Sequence, residues 1–426
     1  MAWEFAMGIL TTRSDKNLAV LQAEVNIASP QFKANPYPFY ARLRAEAPVF
    51  PVRLPDKQRA WLVTRYDDVV MVLKDERFAK DRRNALTPEQ LARQPWMPAF
   101  ARPLARNMLD LDPPDQTRLR ALVQKAFTPR LVEQMRQRIQ GLTDELLDAV
   151  RGRNQIDLIR DYALPVPTTI IAEMLGVPVE DRHRFHRWSR VLLGASSSRA
   201  GIWTAIPGIW LFMRYLRKFI RARRANPQDD LVSALVQAEE AGERLSEDEL
   251  VALVMLLLVA GHETTVNLIG NGMLALLENA DQMDKLRSDP GLIKSAVEEL
   301  LRFHSPVEMA TERFPRQDVT VAGTRIPRGE MVLAVIASAN RDERQFVNAD
   351  ILDLAREPNK HVSFGQGVHF CLGAPLARLE GQLAINTLLR RTGRLALAVA
   401  PEALRWRRGL VLRGLEALPL KVSERQ

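Results

Sequence analysis

The chain has one cysteine, Cys371, in the run Phe364-Gly365-Gln366-Gly367-Val368-His369-Phe370-Cys371-Leu372-Gly373, directly before a helical pattern. A helix start presents unpaired backbone N–H groups and the positive end of its dipole, and both stabilise negative charge. Cys371 is therefore expected to ionise readily and to make a good metal ligand. Gly367 would let backbone approach a flat surface closely, Gly373 would let the helix do the same, and Phe364 offers a ring to pack there. Two other fates stand beside ligation. A lone cysteine is commonly a small apolar core side chain. It can also be a catalytic nucleophile, although no His/Asn constellation is evident around this one. The glycines, Phe364 and His369 weigh toward a ligand.

A second segment with chemical content is Ala260-Gly261-His262-Glu263-Thr264-Thr265, which follows Leu256-Leu257-Leu258-Val259. Glu and Thr in an apolar helix can simply mark its solvent face. Yet a glycine inside a helix costs about 1 kcal/mol relative to alanine, which asks for a reason. A threonine hydroxyl can also compete for backbone carbonyls and bend the helix. A third segment, Glu299-Leu300-Leu301-Arg302, places an acid and a base three residues apart on one helix face. Alone, such a pair is usually a solvated contact worth a few tenths of a kcal/mol.

Together these segments resemble the cytochrome P450 superfamily. Its haem-binding signature, F-x-x-G-x-x-x-C-x-G, is matched at every fixed position by Phe364, Gly367, Cys371 and Gly373, and His369 fills the place of the bacterial histidine. The resemblance implies that Cys371 is the axial thiolate of the iron of haem b, with Gly365 among the cofactor contacts. The stretch 260–265 is similar to the family's oxygen-binding motif. There Gly261 would leave room for dioxygen, and Glu263 and Thr264 would help deliver protons, with no role for Thr265. Glu299 and Arg302, joined by Arg356, look like the family's structural Glu–Arg set: scaffold, not catalysts. The run Asp112-Pro113-Pro114-Asp115-Gln116-Thr117-Arg118-Leu119-Arg120 resembles the bacterial pattern D-P-P-[DE]-H-x-x-x-R. By that likeness Arg120, Arg313 and His369 would anchor the haem propionates, while Gln116 replaces the usual histidine and exchanges a cationic contact for a neutral hydrogen bond.

The implied activity is that of a haem-thiolate monooxygenase inserting one atom of O2 into a medium or large hydrophobic substrate: polyketide, fatty acyl chain, terpenoid or steroid. Hydroxylation is the default, with epoxidation or coupling possible on the same scaffold. Having both Glu263 and Thr264 argues against the fatty-acid peroxygenase branch. No reductase-like segment follows Gln426, so electrons are expected from NAD(P)H through a separate ferredoxin or flavodoxin and its reductase. The donor would dock behind the cysteine loop, on a face including Arg378, Lys125 and Arg130. The opposing class is a non-catalytic haem-thiolate gas or redox sensor, which needs Cys371 but neither Glu263 nor Thr264.

The rest of the chain must position these groups. It has 426 residues, 46% hydrophobic and 26% charged, enough for a large core and too apolar for disorder. With Gly 21, Pro 26 and Cys 1, collagen-like and disulfide-stapled chains are excluded, as are an internal disulfide, a Cys-rich zinc site and an iron–sulfur cluster. A reducing cytoplasm is the expected compartment. The formal charge of +9 suits an acidic partner, a nucleic acid or an anionic membrane, but the cations are dispersed and no nucleic-acid module is evident. No apolar run near the N-terminus reads as a signal or anchor, and the most apolar stretch, 251–261, is too short to span a bilayer.

The pattern predicts one mainly α domain with small β-sheets over residues 1–426, with 1–30 a partly ordered N-terminal segment. Strand-like runs fall at 49–54, 60–64, 318–321 and 331–337. Helical patterns cover 39–44, 115–150 with a break near Pro129, 168–175, 181–193, 209–224, 280–287, 292–302 and 372–391. A long helix starts after Ser246, where Glu249 three residues on makes a capping box. The substrate pocket is expected from 81–108, 191–212, Leu257 to Thr264, 307–310 and 412–415, made apolar by Trp96, Met97, Phe100, Trp203, Ile206, Ile209, Trp210 and Phe212. A stripe such as 206–212 is more often core or lid packing than substrate contact.

Overall fold

The computed structural model describes residues 25–55, 57–92, 106–181, 184, 199–240 and 243–424. The expectations at Trp96, Met97 and Phe100, most of the predicted helix 181–193, residues 1–24 and the side chain of Trp203 lie outside what is described.

The long helix Glu247–Glu278 organises the fold. It starts as the sequence predicts: the Ser246 hydroxyl accepts from Glu249 N–H, and the Glu249 carboxylate accepts from Ser246 N–H at 2.8 Å. Three acidic residues in its first turn, Glu247, Asp248 and Glu249, complement the helix dipole. At 32 residues the whole helix, unlike the run 251–261 within it, is long and apolar enough by length and composition to cross a membrane. Most of that surface is instead buried inside the protein. Helices Pro165–Met174, Arg199–Ala225, Ile293–Phe303 and Ala374–Arg391 pack around it, and Arg136–Asp148 packs in turn on Ala374–Arg391.

The β component is small, as expected. Val49–Arg53 and Arg59–Val63 form an antiparallel hairpin, and Met331–Ala334 adds in parallel to its second strand. The predicted strand 331–337 ends at Ala334, and a helical turn Ile336–Ala339 follows. Thr392–Leu397, Pro419–Glu424 and Gln155–Asp157 make a second sheet. A short ladder pairs Phe78 with Pro315 and Ala79 with Phe314, which brings Lys80 and Arg313 to one place. The predicted break near Pro129 is a helix restart. Asp115–Ala126 ends, Thr128 caps the next helix through Leu131 N–H, and Pro129 takes the first helical position, where its missing N–H has no partner to lose.

Candidate active site

The cysteine loop is held by its own backbone. Cys371 N–H donates to Phe364 O at 2.9 Å, and Phe370 N–H donates to Gly367 O at 3.0 Å. Gly367 has a φ of 71°, and a Cβ there would lie 3.0 Å from Leu73 O, at the end of helix Tyr66–Lys74. That glycine therefore lets the loop seat on a neighbouring helix. Gly373 caps Ala374–Arg391, and a Cβ there would meet nothing within 4 Å. Gln116 donates to Val368 O at 2.8 Å and Arg120 to the same carbonyl at 3.4 Å, so the helix Asp115–Ala126 grips the loop from one side.

The expectation that Cys371 ionises readily is overturned. Burial pushes the thiol above its ordinary range, and the N–H groups of Gly373 and Ala374, with Arg120 and Arg378, pull the other way without prevailing. The helix start is a helper here, and desolvation is the larger effect. A thiolate at this depth calls for a cation bound to it.

Beside the thiol lies a cluster of cations. Burial, and then the charges of Arg313, Lys80 and Arg120, hold the His369 imidazole down at about 3, so it is neutral. Burial lowers Arg313 to about 10, and among the described residues its guanidinium donates to backbone, at Thr311 O and Glu312 O. Among the described residues neither Arg120 nor Arg313 forms an ion pair. Lys80 is buried and lies 3.4 Å from Asp110, while Asp112 is occupied by Arg316 and by the N–H groups of Lys80 and Asp81. Buried and half-buried guanidiniums without carboxylate partners, beside a neutral imidazole and a desolvated thiol, fit a cofactor that carries two carboxylates and a metal.

On the long helix the Thr264 hydroxyl donates to Ala260 O at 2.8 Å, the back-bonding expected of threonine. Glu263 is paired with Arg407 at 3.1 Å. The space left by Gly261 lies against Ile171, where a Cβ would sit 3.5 Å from Cδ1. Thr265 is buried against Glu380, whose carboxyl burial pushes up to about 8 against a hydrogen bond from that threonine.

The Glu299 set is as the resemblance implies. Glu299 and Arg302 are fully buried and joined at 2.7 and 2.8 Å, and Arg356 reaches both carboxylate oxygens at 3.1 Å. This pair is no surface contact.

Arg378, a third exposed on the expected docking face, is also held by the protein itself. Its guanidinium is committed to Glu298 at 2.7 and 2.8 Å and lies over the Phe364 ring at 4.4 Å, so charge reversal there would set two carboxylates face to face. Burial pushes the Glu298 carboxyl up, but the hydrogen bonds and charges of Arg378 and His361 outweigh it and hold it at about 2. Because this lies below its ordinary 4.5, the pair stabilises the fold above that pH and the contribution is lost as pH falls toward about 2. Arg378→Ala should lower Tm at neutral pH by roughly 2 °C, and the gap to wild type should close on acidification. A gap that stays constant from neutral pH to about pH 3 would show that the pair contributes nothing.

The segments expected to build the pocket contribute side chains to core and surface alike. Phe212 and Leu415 belong to the core, and Trp210 is 44% exposed, because helix phase turns it outward from Arg199–Ala225. Leu257 and Leu372 border the same core cluster, while Val307 bridges to Leu412. Sequence reasoning misses Lys80 and Arg407. Neither carries a local motif, and each gains its meaning only from elements distant in the chain.

The cytochrome P450 family model matches residues 22–290 and 291–392. The vitamin D(3) 25-hydroxylase of Pseudonocardia autotrophica is 47% identical over 401 residues, covering 94% of this chain and 97% of that one. The polyketide biosynthesis cytochrome P450 PksS of Bacillus subtilis (strain 168) is 44% identical over 397 residues, 92% of this chain and 97% of PksS. The solved PksS structure matches with a TM-score of 0.87, over 94% of this chain and 100% of that chain. P450BioI, solved with an acyl carrier protein bearing hexadec-9Z-enoic acid, is 39% identical with a TM-score of 0.85, over 93% of this chain and 100% of that one. The chain belongs to the cytochrome P450 family. It is a monooxygenase of that family, whose cofactor is a haem iron held by a cysteine thiolate.

Proposed function

We propose that this monooxygenase hydroxylates a medium or large hydrophobic substrate, a fatty acyl or polyketide chain before a terpenoid or steroid. The observation that carries the reading is the buried Cys371 thiol set beside Arg120, Arg313 and His369, cationic or donor groups that form no ion pair with a carboxylate among the described residues. Cys371 would ligate haem b, and Arg120, Arg313, His369 and Lys80 would receive its propionates. Gly373 would leave the helix start open to it, with Phe364 and Gly365 shaping the loop. When bound, the group supplies the activation of dioxygen. Glu263 and Thr264 would carry protons inward, with Gly261 in the same turn.

The preference rests on the names of two relatives, a polyketide-biosynthesis enzyme and one captured with a fatty acyl carrier protein, and the vitamin D(3) 25-hydroxylase keeps the steroid-like class as the alternative. Electrons would come from NAD(P)H through a separate acidic ferredoxin or a flavodoxin, in the cytoplasm. The exposed Lys125 and Arg130, with the partly exposed Arg378, would steer that encounter. The reduction rate should then fall as salt rises, screened within about 8–10 Å. A salt-independent rate would place docking on apolar contacts.

Thr264→Ala should leave cofactor content and substrate binding intact while turnover diverts from product to peroxide, with product per NAD(P)H falling on the order of tenfold. Equal yield in mutant and wild type would remove Thr264 from proton delivery. Titration of the haem spectrum with fatty acids, acyl carrier conjugates, macrolactones and steroids tests the substrate class. Acyl or polyketide ligands should shift the spin state, and a response confined to steroids would overturn the preference.

A further inference from the structure

The segment 405–416 folds back on itself as a narrow ribbon. Trp406 bridges Leu415, Arg407 N–H donates to Gly414 O at 2.9 Å, and Glu416 N–H donates to Arg405 O at 2.9 Å. The ribbon lies along one face of the long helix and touches it at three residues spaced four apart. Arg407 Nη1 meets Glu263 Oε1 at 3.1 Å. A Cβ on Gly414 would fall 1.9 Å from Asn267 Oδ1, so only glycine permits that approach. Asn271 Nδ2 donates to Arg413 O at 2.9 Å. Residues i, i+4 and i+8 share a helix face, so the ribbon is indexed to the turn that carries Glu263 and Thr264.

Two properties set Arg407 apart from an ordinary surface cation. Its side chain is 34% exposed while that of Glu263 is 14% exposed, so the pair bridges solvent and interior. One turn inward, Asn267 has no protein partner at Nδ2 or Oδ1, and Asn271 Oδ1, His304 Nδ1 and Arg413 Nη1 are likewise unpaired among the described residues. Buried polar atoms of this kind are usually satisfied by ordered water. The acidic side chain thus sits between an exposed guanidinium and a polar seam.

We propose that Arg407 is a positioning residue for proton delivery: its ion pair fixes the Glu263 carboxylate at the solvent side of the long helix, from which it reloads with a proton after each one passed toward Thr264. The inference rests on the reading of Glu263 and Thr264 as the proton-carrying pair. The proton balance is simple. Each proton that Glu263 gives inward is replaced by one from bulk water, and Arg407 stays protonated throughout.

The test is a double-mutant cycle on the haem-loaded protein, using Arg407→Ala, Arg407→Lys, Glu263→Gln and the Arg407→Ala/Glu263→Gln pair. Product and peroxide per NAD(P)H are measured, with the solvent isotope effect on product formation. Arg407→Ala should lower product yield by roughly threefold to tenfold and raise the isotope effect, less than loss of the acid itself. Arg407→Lys should restore most of the yield. In the Glu263→Gln background Arg407→Ala should add nothing, since it acts through that carboxyl. A crystal structure of Arg407→Ala should show Glu263 displaced, with Tm and substrate affinity near wild type.

Additive effects in the cycle, a Glu263 that keeps its place without Arg407, or an uncoupled Glu263→Gln beside a fully coupled Arg407→Ala would each overturn the inference alone. A fully coupled Glu263→Gln would instead remove the proton-carrying reading, and the inference with it.

Discussion

Cys371→Ala is expected to abolish the red-shifted absorption of the reduced carbon-monoxide complex and to cut monooxygenase turnover on the order of a thousandfold or more, as for any group acting in the reaction itself. The structure says why the loss should be so complete. The sulfur sits in a loop closed by the Cys371–Phe364 and Phe370–Gly367 hydrogen bonds, and burial raises its thiol pKa above the ordinary range, which disfavours a free thiolate. The chain has one cysteine, so no second thiol can take its place. Cys371→Ser is the sharper control, because it keeps size and loop geometry while removing the soft ligand. Retention of the red-shifted band in either variant would show that Cys371 is not the ligand.

The largest effect on the fold is expected at Glu299. Its carboxylate accepts from Arg302, from Arg356, from Asn359 at 3.1 Å and from Asp353 N–H at 3.0 Å. Arg302 also donates to Asn340 O and Ala349 O, and Asn340 in turn binds Ser363 and Val362 N–H at the entry to the cysteine loop. Glu299→Ala would leave a fully buried guanidinium with backbone partners only, at a cost of about 3–5 kcal/mol. The expected result is a fall in Tm and a loss of haem-loaded protein. Glu299→Gln should be intermediate, since it keeps the volume and loses the charge. Thermal unfolding with haem quantitation measures both, and a Glu299→Ala protein as stable and as loaded as wild type would show the set to be ornamental.

The features legible in the sequence are those whose meaning is local. The cysteine loop, the capping box at Ser246 and the threonine back-bond at Thr264 depend on residues within a few positions of each other. The Glu299–Arg302 spacing is visible too, but its burial is not, because the elements that cover it come from residues 340–359. The same limit explains the corrections. Whether the helix dipole or desolvation governs Cys371 depends on how deeply the whole fold buries it. Arg378 is legible as a cation after the cysteine, while its partner Glu298 lies 80 positions earlier. Trp210 and Phe212, two residues apart on one helix, face solvent and core respectively, a phase that composition alone leaves open.

The central claim is that this fold inserts one oxygen atom of O2 into an apolar chain. Its most direct test is turnover under 18O2 in ordinary water, with NAD(P)H, a ferredoxin and its reductase, and a long-chain fatty acid or its acyl carrier conjugate. The predicted result is a hydroxylated product carrying one 18O atom, with the second 18O recovered in water. Product oxygen drawn from solvent, or O2 consumed entirely to peroxide across the acyl, polyketide, terpenoid and steroid classes, would contradict the account.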